Sequence, residues 1–229
     1  MRLDKYLSDV TVYSRSQIKD LIREKRIKVD GAIVKDSGLK VDGNIVMIDD
    51  TVIEYVEYEY YLLNKPQGYI CALEDNRYPV VMELIQSVRK DLAVVGRLDL
   101  NTEGAILITN DGQLNHRLLS SKNHVDKKYY FQTDVSLPNN AKELLEKPMD
   151  LGDFITNGAT FEQIAINEGY LTINQGKFHQ VKRMLEKIGC TITYLQRVNF
   201  ANLDLEGLMV GQYRPLTQEE IITLRELTK

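Results

Sequence analysis

Between Val41 and Tyr60 the chain carries six carboxylates and no basic residue, directly after a 40-residue head with ten Lys/Arg and six Asp/Glu. The head is therefore +4, the band −6, and residues 61–229 −2. So abrupt a change of sign divides the chain into a small basic part, an acidic connector and a larger body. A length of 229 residues suits one small plus one medium domain. The net charge of −4 alone argues against a nucleic-acid partner; the basic head argues for one. Hydrophobic residues make up 43% of the chain, enough for a core. No apolar run approaches the ~20 residues of a membrane span, and Met1-Arg2-Leu3-Asp4-Lys5 lacks the apolar stretch of a signal peptide. Cys71 and Cys190 are far apart without ligand spacing, which points to a reducing, cytoplasmic setting and against disulfides or a zinc site.

Within the head, Leu3, Tyr6, Leu7 and Val10 follow helical spacing. A second helix is predicted from Ser14, which forms a capping-box pattern with Gln17. Its apolar face is Ile18, Leu21 and Ile22; Arg15, Lys19, Arg23 and Arg26 are predicted to share a separate stripe. Two β-prone stretches around Asp30-Gly31 form a predicted hairpin. Such a cationic stripe suits phosphates, although a solvated helix face has the same composition. The series R-L-D-K-x-L, S-R-S-x-I-K-x-L-I and I-K-V-D-G resembles the S4 RNA-binding domain over about the first 45 residues. That resemblance implies RNA contacts by Lys5, Arg15, Lys19, Arg23 and Arg26. The acidic band is read as a last S4 strand near Asn44–Ile48 and then a linker, with formal limits 1–45 for the S4-like domain, 46–59 for the linker and 60–229 for the body.

The body alternates short strand patterns with fewer helical ones. Strands are predicted at 61–63, 92–96, 105–109, 128–133, 161–166, 170–173 and 191–197. Helices are predicted at 80–87, 139–146, 180–188 and 218–226, the last behind a Thr217–Glu220 capping box. This is an α+β pattern with a mixed, mostly antiparallel sheet.

Four motifs carry the chemistry. Gly96-Arg97-Leu98-Asp99-Leu100-Asn101-Thr102-Glu103-Gly104 joins two apolar strands, where turn chemistry alone accounts for Asp, Asn and Gly. Gly176-Lys177-Phe178-His179-Gln180-Val181-Lys182-Arg183-Met184-Leu185 opens an amphipathic helix with Gly189 at its C-terminal cap position. Lys127-Lys128-Tyr129-Tyr130-Phe131 opens a strand in which Tyr129 and Phe131 face one side and Tyr130 the other. Leu62-Leu63-Asn64-Lys65-Pro66-Gln67-Gly68-Tyr69 is a strand ending in a turn. In order and spacing these resemble the G-R-L-D-x-x-T-x-G-L/I, G-[KR]-x-H-Q-V-K-R-M and K-x-Y-x-V motifs of RsuA-type RNA pseudouridine synthases, with Phe131 in place of an aliphatic residue.

The resemblance implies a synthase domain with a central cleft, Asp99 as the essential carboxylate, Lys182 as its ion-pair partner and Tyr129 beside the base. It places Arg97, Lys177, His179 and Arg183 at the RNA and makes the 62–69 stretch a support. Related families have arginine where Lys182 stands; lysine lacks the bidentate fork. The reaction moves the ribose bond from N1 to C5 of uracil. The carboxylate can stabilise or trap the cationic sugar, abstract a sugar proton or attack the base, and the sequence leaves all three open. No cofactor or metal is implied. The expected partner is 16S ribosomal RNA or an early small-subunit assembly intermediate, without a membrane, acted on by a monomer. The alternatives are the same chemistry on 23S rRNA and a non-catalytic S4-type assembly factor.

Overall fold

The computed structural model describes residues 1–229 as two compact units, Met1–Tyr58 with Gln86–Leu92, and Glu59–Ile85 with Ala93–Lys229. The first unit packs α1 (Leu3–Val10) and α2 (Arg15–Arg23) on a four-stranded antiparallel sheet of β1 (Ile27–Val29), β2 (Ala32–Ile33), β3 (Val46–Ile48) and β4 (Thr51–Val52). Its strand order is β2-β1-β3-β4. The apolar faces read from the sequence meet in one core around Leu3, Leu7, Ile18, Leu21, Ile27 and Val46. Ser14 caps α2 as expected: its hydroxyl accepts from the Gln17 amide at 3.3 Å, and the Gln17 side chain accepts from the Ser14 amide at 2.8 Å.

Three details differ from expectation. α2 stops at Arg23, and Lys25 takes a left-handed φ of 61°, so Arg26 lies beyond the helix and does not extend its stripe. The strand expected near Asn44–Ile48 is present as β3, with Val46 and Ile48 buried, but the formal linker from residue 46 overlaps it and also supplies the unexpected strand β4. Asp49 and Asp50 both adopt positive φ, which aspartate tolerates, and turn β3 tightly into β4. Even the following segment is tied down, since the Tyr6 hydroxyl donates to the Ile53 carbonyl at 2.7 Å. The acidic band also folds onto the basic head: Arg26 pairs with Asp49, and Lys28 with Asp50 at 2.6 Å.

The second unit is built on a nine-stranded mixed sheet. Its strands are β5 (Tyr60–Lys65), β6 (Ala93–Val95), β7 (Glu103–Thr109), β8 (Lys127–Thr133), β9 (Thr160–Ala165), β10 (Glu168–Ile173), β11 (Ile192–Phe200), β12 (Leu203–Asp204) and β13 (Tyr213–Pro215). The main path is β13-β5-β7-β11-β8-β10-β9. Every pairing is antiparallel except β7 with β11, so the α+β expectation holds. Helices α3 (Gly112–Leu119), α4 (Ala141–Glu146), α5 (Gln180–Lys187) and α6 (Gln218–Glu226) accompany it. Leu62, Leu107, Leu114, Leu118, Phe200 and Leu224 share its main core. The helix predicted at 80–87 is only a 3-10 turn, Val81–Leu84. Val80 and Val81 are β-branched and buried, and Val80 bridges to Ile70, which holds the chain extended there.

Candidate active site

The parallel pairing brings distant motifs into one row. Gly104 on β7 lies opposite Arg197 on β11, and Arg197 lies opposite Tyr129 on β8. The close approach needs glycine: Gly104 has φ of 117°, and a Cβ there would meet the Arg197 carbonyl oxygen at 2.2 Å. The loop before β7 carries Asp99, and α5 brings Lys182 to it from the other side.

The backbone of the Asp99 loop is fixed from beneath by Lys65 at the end of β5. Lys65 is fully buried, and its Nζ donates to the carbonyls of Pro66 (3.0 Å), Asp99 (3.0 Å) and Thr102 (2.8 Å). Burial lowers its pKa to about 8. The Gly68 amide donates to the Leu100 carbonyl at 2.8 Å, and the Thr102 amide closes a turn on the Asp99 carbonyl at 3.1 Å. The Leu98 amide contacts the Cys71 sulfur at 3.3 Å, and burial pushes that thiol's pKa up. The 62–69 turn thus supports the loop and leaves the Asp99 carboxylate facing outward.

That carboxylate has two partners. Lys182 Nζ donates to Oδ2 at 2.6 Å and to Asn101 Oδ1 at 2.8 Å. His179 Nε2 lies 3.4 Å from Oδ1. His179 begins α5 with a left-handed φ of 50° and stacks on Phe178 with 3.8 Å between ring centres. The Asp99 side chain keeps 32% of its surface exposed, so it is accessible as well as paired.

Asp99, Tyr129, Lys182, Arg97, Lys177 and His179, all singled out from the sequence, line one cavity of about 120 Å³. Tyr129 is buried, and along β8 residues 127, 129, 131 and 133 face inward, as alternation predicts. Arg183 does not reach the cavity; it is engaged by Asp153 and the Leu151 carbonyl, with its guanidinium 5.1 Å from the Phe154 ring centre. In the head, Lys5 pairs with Asp9, Arg23 with Asp20 and Arg26 with Asp49, whereas Arg15 and Lys19 are exposed without an ion pair. Reasoning from the sequence missed Lys65, Lys127, Arg197 and Gln180. Strand alternation was a usable signal for Lys127, which shares the Tyr129 face; Arg197 stood out only as the base ending an otherwise ordinary strand pattern.

The arrangement is a carboxylate held by one ammonium and one imidazole, facing an aromatic wall across a small cavity. The sequence profile of the RNA pseudouridylate synthase family matches residues 59–187, and that of the S4 domain matches residues 1–44. The chain belongs to the RNA pseudouridine synthase family. An RNA pseudouridine synthase of Bacillus subtilis is 37% identical over 99% of both chains. Ribosomal small subunit pseudouridine synthase A of Escherichia coli is 34% identical over 98% of this chain and 100% of its own. A crystal structure of a pseudouridylate synthase superposes with a TM-score of 0.70 at 33% identity, covering 98% and 99% of the two chains. This synthase is thus an isomerase with an S4 domain ahead of its catalytic domain. No helix of the synthase is long and apolar enough to cross a membrane.

Proposed function

We propose that the protein converts a uridine of 16S ribosomal RNA to pseudouridine, with Asp99 as the reacting carboxylate, Lys182 as its counter-ion and Tyr129 as a wall of the uracil site. The observation that carries this reading is the 2.6 Å Lys182–Asp99 contact at the mouth of a cavity that Tyr129 also lines. Lys182 supplies the positive charge that pairs with the carboxylate at the cavity mouth. A charged carboxylate beside C1′ stabilises or traps the electron-deficient sugar left when the N1 bond breaks. The choice of 16S rRNA is supported by the relatives named as small-subunit enzymes. In the head, the exposed Arg15 and Lys19 are the cations best free to meet phosphates.

Purified protein is incubated with protein-free 16S rRNA, with 16S rRNA carrying early-assembly ribosomal proteins, and with 23S rRNA, and pseudouridine is mapped by carbodiimide labelling and primer extension. The expected result is a single new site in 16S rRNA. Modification confined to 23S rRNA defeats the substrate assignment and leaves the chemistry standing. Asp99→Asn, run alongside, is expected to fold and bind RNA but lose at least ~10³-fold in rate; substantial turnover refutes its assignment.

A further inference from the structure

Among the cations of the cavity that the assignment above leaves unused, two are buried. Lys127 and Arg197 are 8% and 2% exposed, and neither forms an ion pair. Lys127 Nζ donates to the Val125 carbonyl at 2.6 Å, and Arg197 Nε donates to the Ala105 carbonyl at 2.7 Å. The Arg197 Nη2 is buried with no partner. Both charges lie against the Phe200 ring, Lys127 Nζ at 5.8 Å and the Arg197 guanidinium at 4.9 Å from its centre. Buried charges are normally paired, because an uncompensated one is costly to remove from water. Two of them lining a catalytic cavity mark a place where negative charge is present on the substrate during reaction.

The charged groups around Lys127 do not supply that balance. Arg197 approaches from β11 and adds like charge, and Asp126, which precedes Lys127 in the chain, is exposed and forms no ion pair with it. Lys177 and His179 line the cavity ahead of α5, Arg97 lies on the Asp99 loop, and Asp99 itself is already matched by Lys182. Leu98, Ile173, Val181 and Leu195 make the remaining wall apolar, which suits a flat ring better than a hydrated phosphate.

We propose that Lys127 and Arg197 form a cationic floor that holds the carbonyl oxygens of uracil and stabilises the negative charge of the ring while it is detached from the ribose. The inference rests on the cavity being the uridine site. When the N1–C1′ bond breaks, its electron pair stays on the base and spreads onto O2 and O4, leaving C1′ electron-deficient. The ring then turns, its C5 attacks C1′ with ring electrons, and the C5 hydrogen leaves as a proton. N1 regains a proton, so the sum is an isomerisation. Donors fixed where charge develops act most strongly when water is excluded. Burial, with Arg197 beside it, holds the Lys127 pKa at about 8, so the floor loses charge in mildly alkaline solution.

The test uses full-length protein and whichever of the three RNA substrates above is modified, labelled with [5-3H]uridine; tritium released on C5 attachment reports turnover. Lys127→Met is expected to lower kcat by about a hundredfold, the scale of removing one such donor, with RNA affinity unchanged. Lys127→Arg, which stays charged, is expected to keep most turnover and to reduce the decline expected of the natural enzyme above pH 8, leaving any share that Lys65 carries. Full turnover by Lys127→Met, or an unaltered alkaline decline in Lys127→Arg, overturns the proposal. Asp99→Asn separates the two readings. If it is inactive while Lys127→Met is fully active, only the cationic floor fails; if it is active, the assignment of the cavity fails and takes the floor with it.

Discussion

The carboxylate of Asp99 owes its position to a backbone hold by one residue and a charge hold by another. Lys182→Met is therefore expected to leave the Asp99 loop in place, since Lys65 still fixes it, while lowering the rate; Lys182→Arg should restore part of it. Single-turnover rates at saturating RNA check both. Tyr129→Phe should keep affinity, because the ring face is retained, and slow the reaction if the hydroxyl manages a proton. Lys65→Met is a different kind of change. It leaves the carbonyls of Pro66, Asp99 and Thr102 without their donor, and an unfolding midpoint in urea should report a loss of about 3 kcal/mol. Lys65 and Lys127 also set a pH dependence of stability. Both titrate near 8 in the folded protein against 10.5 when free, so the unfolded chain binds more protons between those values. Stability should therefore rise with pH from about 8, and the rise should be smaller in either methionine variant. Asp99, Lys182 and Tyr129 were legible as residues because their motifs are local. Lys65 was read only as part of a turn, and its real partners stand 34 and 37 residues further along the chain.

Among the elements, the parallel joint between β7 and β11 decides the geometry of the cavity. Gly104→Ala would drive a methyl group into the Arg197 backbone. Relief requires the two strands to part, which displaces Tyr129 and Arg197 together, since β8 is registered on β11. The expected outcome is a loss of both stability and turnover, read by thermal unfolding and tritium release; unchanged activity would show that the joint is not rigid. Most strands, the start of α2 and the α5 and α6 boundaries were legible from apolar periodicity and capping residues. α3 was not, although Asp111 caps it by accepting from the Leu114 amide at 2.9 Å, because it opens on Gly112, a residue of poor helix propensity. β4 was hidden by the acidic turn that leads into it, which reads as a linker until the Asp49–Arg26 and Asp50–Lys28 pairs are seen.

For the molecule as a whole, the proposed division of labour is affinity in the S4 domain and chemistry in the catalytic domain. Of the head cations, Arg15 and Lys19 are exposed without ion pairs, so Arg15→Glu and Lys19→Glu should weaken rRNA binding. Each should also reduce the slope of log Kd against log salt by about 1 for every phosphate it no longer neutralises. Turnover at saturating RNA should not move; an unchanged dissociation constant would remove that face from the interface. The parallel joint has a further consequence in time. Helix α1, helix α2 and the first sheet draw on residues no later than Val52, whereas a separation of 83 positions between Asp99 and Lys182 must be spanned before those two side chains can meet. Pairings so far apart in sequence form late. During synthesis, the part built to grip RNA is complete long before β11 emerges to close the pocket at Phe200. A chain interrupted in that interval would occupy its target without altering it, a competitor of the finished enzyme encoded in the same reading frame.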